Sequence, residues 1–162
     1  MKEKSKIANH QWLEYLMQEA ISEAKLAATK NEIPVGAVIA NENKIISRAH
    51  NLTELNQDAS CHAEILAIRD ASRQINNWRL NKLILCVTLE PCAMCAGAIK
   101  LARISTVVYG AKDPRAGAIE STNKLLVDDK LGKAPEIISG ILQHQCSSLL
   151  TNFFRALRAK KK

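Results

Sequence analysis

Two short segments hold the residue types that a metal-dependent hydrolase needs. His62-Ala63-Glu64 supplies an imidazole and a carboxylate, and Pro91-Cys92-Ala93-Met94-Cys95 supplies two thiols at C-x-x-C spacing. Zinc takes imidazole and thiolate ligands, and a catalytic zinc keeps one of its four positions open for water. His62, Cys92 and Cys95 would fill three positions and leave the fourth free. Zinc draws the pKa of such a water towards neutrality. Glu64, two residues past the histidine, is close enough to take that proton and pass it to a substrate nitrogen.

Each fragment alone has a plainer reading. A lone C-x-x-C is more often a redox pair or half of a structural zinc site, and a lone H-x-E is close to noise. Together they form the H-x-E…P-C-x-x-C arrangement of zinc nucleobase deaminases. A structural site would want a fourth protein ligand. Cys61 is the candidate, but adjacent helical residues point about 100° apart, so Cys61 and His62 are not expected to face one ion. Cys86 and Cys146 sit in apolar patterns and read as core.

These residues must be held by the elements around them. Residues 9–29 read as a helix, with Leu13, Leu16, Met17, Ala20, Ile21, Ala24 and Ala28 on one apolar face. Strands Val35–Ala40 and Lys44–His50 flank the turn Asn41-Glu42-Asn43 and predict a hairpin. Cys61–Arg73 reads as a helix capped by Ser60. Leu83–Leu89 reads as a buried central strand, and Cys92–Ala102 as a helix that opens just after Pro91. Then come a strand at Ile104–Tyr109, a loop at Gly110–Gly117, a short helix at Ser121–Leu126 and a short strand at Glu136–Ile138. A last helix runs from Leu142 to Ala159, with Cys146, Leu150, Phe153 and Leu157 on one side. Alternating strands and helices after a hairpin predict an α/β fold, a mixed sheet of about five strands with helices on both faces. Both metal-binding segments then begin helices. Their free N–H groups and dipoles stabilise thiolates at Cys92 and Cys95.

The 162 residues fit one domain, 1–162, with flexible ends at 1–8 and 160–162. No apolar run is long enough to span a bilayer. Met1 to His10 is charged with no apolar run behind it, so neither a signal peptide nor a membrane partner is expected. An odd count of five cysteines argues for a reducing, cytoplasmic setting and against a disulfide framework. Net charge is +7, and beyond Glu136 there is no Asp or Glu. Arg155, Arg158, Lys160, Lys161 and Lys162 fall in that acid-free stretch. It reads either as a solubilising tail or as a surface for a polyanion.

Beyond the zinc residues, the chain resembles the bacterial tRNA-specific adenosine deaminases, which have the three-layer α/β/α cytidine deaminase-like fold. The resemblance runs from about Trp12 to Arg158 and is carried by Pro34-Val35-Gly36-Ala37-Val38, Asn51, the two zinc segments, Gly110-Ala111-Lys112-Asp113 and Phe153-Phe154-Arg155. It implies one Zn2+ per chain on His62, Cys92 and Cys95, with Glu64 as proton shuttle. It also implies conversion of adenosine to inosine at the wobble position of a tRNA, usually an arginine tRNA. Asn51 should hydrogen-bond the extruded nucleoside, the Ala63 backbone should contact its base, and Val35 should pack on the base face. Asp113 should lie near the flanking nucleotide, and Phe154 and Arg155 should meet RNA. The family is also homodimeric. Taken without the resemblance, Asn51 merely ends a strand, Val35 is core and Asp113 makes a turn with Pro114. The chain departs from the family at Ser60-Cys61, where members often carry small residues or a Thr-Ala pair.

Three other readings compete. A deaminase of a free base such as guanine or cytosine would share the zinc residues, but it has no use for a basic C-terminal helix. A zinc module that only binds RNA has no use for Glu64. A thiol-disulfide enzyme has no use for His62 and Glu64.

Overall fold

The computed structural model describes residues 10–160. The ends expected to be flexible, 1–8 and 160–162, lie outside that range except for Lys160. A 20-residue helix, α1 (His10–Thr29), comes first. Its buried stripe is Leu13, Leu16, Met17, Ala20, Ile21, Ala24 and Ala27. Ala27 takes the place expected for Ala28, which is half-buried. Asn31, with a positive φ of 59°, ends the helix and turns the chain.

Strands β1 (Gly36–Ala40) and β2 (Ile45–His50) form the expected antiparallel hairpin. The Asn41 carboxamide closes it by accepting from the N–H groups of Asn43 and Lys44 at 2.8 and 2.9 Å. A one-turn helix α2 (Thr53–Asn56) and then α3 (Ala63–Gln74) follow. Next come β3 (Ile84–Leu89), α4 (Ala93–Leu101), β4 (Thr106–Ala111), β5 (Glu136–Ser139) and α5 (Gln143–Ala159). The sheet order is β2-β1-β3-β4-β5. β1 is antiparallel to both its neighbours, while β3, β4 and β5 run parallel. The mixed five-stranded sheet is therefore as expected, and β3 takes its centre.

Strand alternation divides the interior into two cores. Ala37, Ile39, Leu85, Val87, Val107 and Tyr109 face α3 and α4. Val38, Ala40, Ile84, Cys86 and Val108 face α1 and α5. Helices thus cover both faces. Gly36 allows α1 to lie against β1, since a Cβ there would stand 2.0 Å from the Ala20 carbonyl.

Two local expectations fail. Ser60 is not the cap of α3. His62 occupies the N-cap position, and the Ser60 hydroxyl donates instead to Asp58 at 2.7 Å. Ser121–Leu126 is not a helix but a series of turns. The N–H groups that a helix there would need, those of Leu125 and Leu126, go instead to the Asn123 side-chain oxygen at 3.2 Å and the Ala118 carbonyl at 3.0 Å, while those of Ile119, Glu120 and Ser121 donate to the Glu90 carboxylate at 2.8–3.1 Å. A short 3₁₀ turn at Asp129–Leu131, like α2, has no counterpart among the elements expected from sequence. Among the described residues, no helix is long and apolar enough to cross a membrane.

Candidate active site

Helices α3 and α4 begin at His62 and Cys92, which are their N-cap residues. A typical N-cap turns its side chain back onto the helix's first N–H groups. Neither His62 nor Cys92 does so. Both have extended backbone, with ψ of 151° and 175°, and their side chains are free to meet each other. Cys95, on the first turn of α4, overlies the same end. His62 Nδ1 lies 3.6 Å from each sulfur, and all three donor atoms fall within 4.8 Å of one another. Zn–S and Zn–N bonds of about 2.3 and 2.05 Å at tetrahedral angles put sulfur and nitrogen about 3.6 Å apart. The donor set therefore fits zinc in type, number and spacing.

The protonation pattern agrees with that chemistry. The Cys95 thiol and the His62 imidazole, against the opposing effect of burial, hold Cys92 down to about 4. Cys92 and burial push the Cys95 thiol far up, while Cys92 raises His62. Three groups so close compete for protons, and a divalent cation among them replaces those protons. Cys61 is not in the cluster. It is buried, and its sulfur accepts from Asn56 Nδ2 at 3.5 Å. Cys86 and Cys146 are buried in the core facing α1 and α5, as expected.

Glu64 stands in the first turn of α3 and is 4% exposed. Burial raises its carboxyl above the ordinary range, and the nearby His62 opposes the shift. It does not belong to the three-donor cluster. A buried acid beside a metal cluster, with its proton affinity raised, is suited to proton transfer.

His62, Cys92 and Glu64 line a cleft of about 690 Å3, while Cys95 is buried. Val35, Asn51, Ala63, Asp113 and Phe154 also line it, so the fold brings most of the sequence-assigned residues together. The Asn51 N–H donates to the Val35 carbonyl at 3.0 Å, and Leu52 N–H to the Cys61 carbonyl at 3.0 Å. These two bonds staple the open end of the hairpin to the start of α3. Arg155 is the exception. It is exposed on α5 and is not part of the lining, although Phe153, Phe154 and Leu157 of that helix are. Asp113 makes the turn expected with Pro114 and also faces the cleft. Its carboxylate accepts from Arg115 and Ala116 N–H at 3.0 and 3.3 Å.

Two buried acids in the cleft wall are not among the residues expected from sequence. Glu90 receives the N–H groups of Asp113, Ile119, Glu120 and Ser121 and the Ser121 hydroxyl. Burial would raise its carboxyl, but these donors outweigh it and hold the group low. The packing leaves no space at Gly117, where a Cβ would stand 2.3 Å from a Glu90 oxygen. Glu90 directly precedes Pro91-Cys92, and that position is the only signal the sequence offers. The other acid is Glu32, whose place between Asn31 and Ile33 gives no sign of burial.

Comparison with known proteins agrees with this geometry. The sequence model of the cytidine and deoxycytidylate deaminase zinc-binding region matches residues 10–111. The chain is 47% identical over 149 residues to the tRNA-specific adenosine deaminase of Bacillus subtilis (strain 168), covering 92% of each. The chain belongs to the tRNA-specific adenosine deaminase family. A second tRNA-specific adenosine deaminase, from Rickettsia bellii (strain RML369-C), is 45% identical over 88% of this chain and 99% of its own. A chain solved in a study of A-to-I editing by tRNA:A34 deaminases at the wobble position of transfer RNA superposes with a TM-score of 0.81. It is 39% identical and covers 84% of this chain and 99% of its own. This member of the tRNA-specific adenosine deaminase family is thus a zinc-dependent hydrolase of the α/β cytidine deaminase-like fold. His62, Cys92 and Cys95 are the donors in it that fit the metal.

Proposed function

We propose that this protein converts adenosine to inosine at the wobble position of a tRNA anticodon, in an arginine tRNA first of all. The observation that carries the reading is the buried Glu64 beside a three-donor zinc cluster, in a cleft walled by the aromatic pair of a basic C-terminal helix. When bound, zinc supplies Lewis-acid activation of water. The chain's own residues do the rest. Glu64 takes a proton from the attacking water and delivers it to the ring nitrogen next to the reacting carbon. Water adds its oxygen to that carbon, which carries the exocyclic amine. Glu64 then takes the proton of the new hydroxyl and passes it to the amine; the C–N bond breaks as the carbonyl forms, ammonia leaves and inosine remains. Asn51 and the Ala63 backbone orient the base, and Val35 packs on its face. Asp113 meets the flanking nucleotide, while Phe153 and Phe154, in edge contact at 5.5 Å, offer a stacking surface. Arg155, exposed on the same helix, meets phosphates from outside the cleft.

The same reading extends to assembly and setting. The whole chain acts as one deaminase domain in the cytoplasm and pairs as a homodimer. Met94 and Leu101 of α4 are 40% and 72% exposed, an apolar edge suited to a second copy of the chain.

A loop nucleotide is already partly unstacked, so drawing it into the cleft costs little. The test compares inosine formation in an anticodon stem-loop with ammonia release from guanine, cytosine and adenine. Turnover of the stem-loop and not of the free bases is expected. Rapid turnover of a free base with an inert stem-loop would move the activity to base metabolism and leave the zinc chemistry standing.

A further inference from the structure

A buried carboxylate outside the zinc cluster governs one polar wall of the cleft. Glu32 has no exposed surface. Its Oε2 accepts from Asn51 Nδ2 at 3.0 Å, and its Oε1 accepts from the Leu55 N–H at 2.7 Å. On its other side, the Asn51 Oδ1 accepts from the Thr53 hydroxyl at 2.8 Å. Asn51 is 7% exposed and lines the cleft.

A carboxamide in such a place has two orientations, related by a half-turn about its last bond. They are alike in shape and opposite in polarity. Thr53 cannot choose between them, because a hydroxyl both donates and accepts. Glu32 accepts on both oxygens, from the Leu55 N–H and from Asn51 Nδ2. Asn51 must therefore turn its NH2 group towards Glu32, and the reverse orientation would set two acceptors against each other in a buried place. We propose that Glu32 is a positioning residue that determines specificity. It holds the Asn51 amide in one polarity, so that the second Nδ2 hydrogen and the second Oδ1 lone pair meet the bound nucleoside in a fixed order. This rests on the reading of the cleft as a nucleoside site.

The experiment separates polarity from shape. Glu32→Gln keeps the shape. Its carbonyl can still accept from Leu55, while its NH2 group faces Asn51 and drives the half-turn. Glu32→Asp is one methylene shorter but still only accepts. A polarity role ranks Asp above Gln in activity, and a packing role ranks Gln above Asp. We would measure kcat/KM for inosine formation in an anticodon stem-loop, and zinc per chain, for both variants alone and in an Asn51→Ala background. Loss of a correctly paired buried group predicts a fall of about tenfold or more for Glu32→Gln, a smaller fall for Glu32→Asp, and unchanged zinc. With Asn51→Ala already present, Glu32→Gln should add less than about a twofold loss, since no amide remains to misorient.

A Gln variant as active as the Asp variant, or one with the same fold loss in both backgrounds, would overturn the proposal. The Asn51 side-chain amide resonances, recognised by their disappearance in Asn51→Ala, give a readout independent of turnover. They should move in Glu32→Gln and hold their place in Glu32→Asp, and the opposite pattern would also overturn it. Should the wild type ignore the stem-loop and deaminate a free base, the RNA reading fails. The same cycle run on that base still decides the role of Glu32.

Discussion

Replacing Glu90 by alanine should destabilise the loop that follows β4 far more than a surface substitution would. The carboxylate is 2% exposed and receives four backbone N–H groups and one hydroxyl. Alanine leaves all five without that acceptor. A donor left dry costs about 1–3 kcal/mol, whereas one that regains water loses only about 0.5–1.5 kcal/mol. The Ile119 N–H is buried, while those of Asp113, Glu120 and Ser121 are partly so. The total is then roughly 3–9 kcal/mol, a large share of the roughly 5–15 kcal/mol that holds a typical domain together. At about 2–4 °C per kcal/mol for a chain of this size, Tm should fall by at least roughly 6 °C and by as much as roughly 36 °C. The assay is thermal unfolding followed by circular dichroism with zinc in excess, so that metal loss is not the cause. Glu90→Gln, which keeps one acceptor oxygen, should fall between the two. The pH dependence is fixed in sign. The folded carboxyl lies below the ordinary 4.5, so its stabilisation is complete above that value and is lost as pH falls through the lowered pKa. The gap in Tm between wild type and Glu90→Ala should therefore narrow in acid. A fall of less than about 3 °C at neutral pH would refute the idea that this carboxylate organises the loop.

Cys92→Ser should lose zinc, whereas Cys61→Ser should retain one zinc per chain; metal analysis showing the reverse would sink the three-donor site. Glu64→Ala should bind zinc and RNA normally while turnover drops by about 10²–10⁴-fold or more, and single-turnover inosine formation within threefold of wild type would remove Glu64 from the chemistry. Arg155→Ala and Arg158→Ala should each flatten the salt dependence of RNA binding by about 0.7–0.9 in log–log slope for every phosphate left unneutralised, with saturating kcat nearly unchanged. An unaltered slope would leave the exposed face of α5 as a solvated surface.

The three donors that fit zinc, and Glu64 beside them, are legible in the sequence because their chemistry is local. Residue type and short spacing, with helix starts readable nearby, already imply a three-donor site. The sheet is legible for a similar reason, since hydrophobic alternation and hairpin turns are properties of short stretches. The two local failures, at Ser60 and at Ser121–Leu126, have a tertiary cause. His62 takes the cap position and meets Cys92 and Cys95, and the Leu126 N–H that a helix would have used goes to the Ala118 carbonyl of the loop held by Glu90.

Residue types and their order along the chain settle the metal chemistry, the succession of elements and which faces are apolar. Which buried acid meets which donor is settled by the folded chain alone. Glu32 and Asn51 are 19 residues apart, and Glu90 and Ser121 are 31 apart. No periodicity links such positions, because the pairing of a charge with its partners depends on how strands and loops close in space. Arg155 shows the same limit from the other side. It belongs to a segment that resembles an RNA-binding one, yet the turn of α5 aims Phe153 and Phe154 into the cleft and leaves the guanidinium outside it.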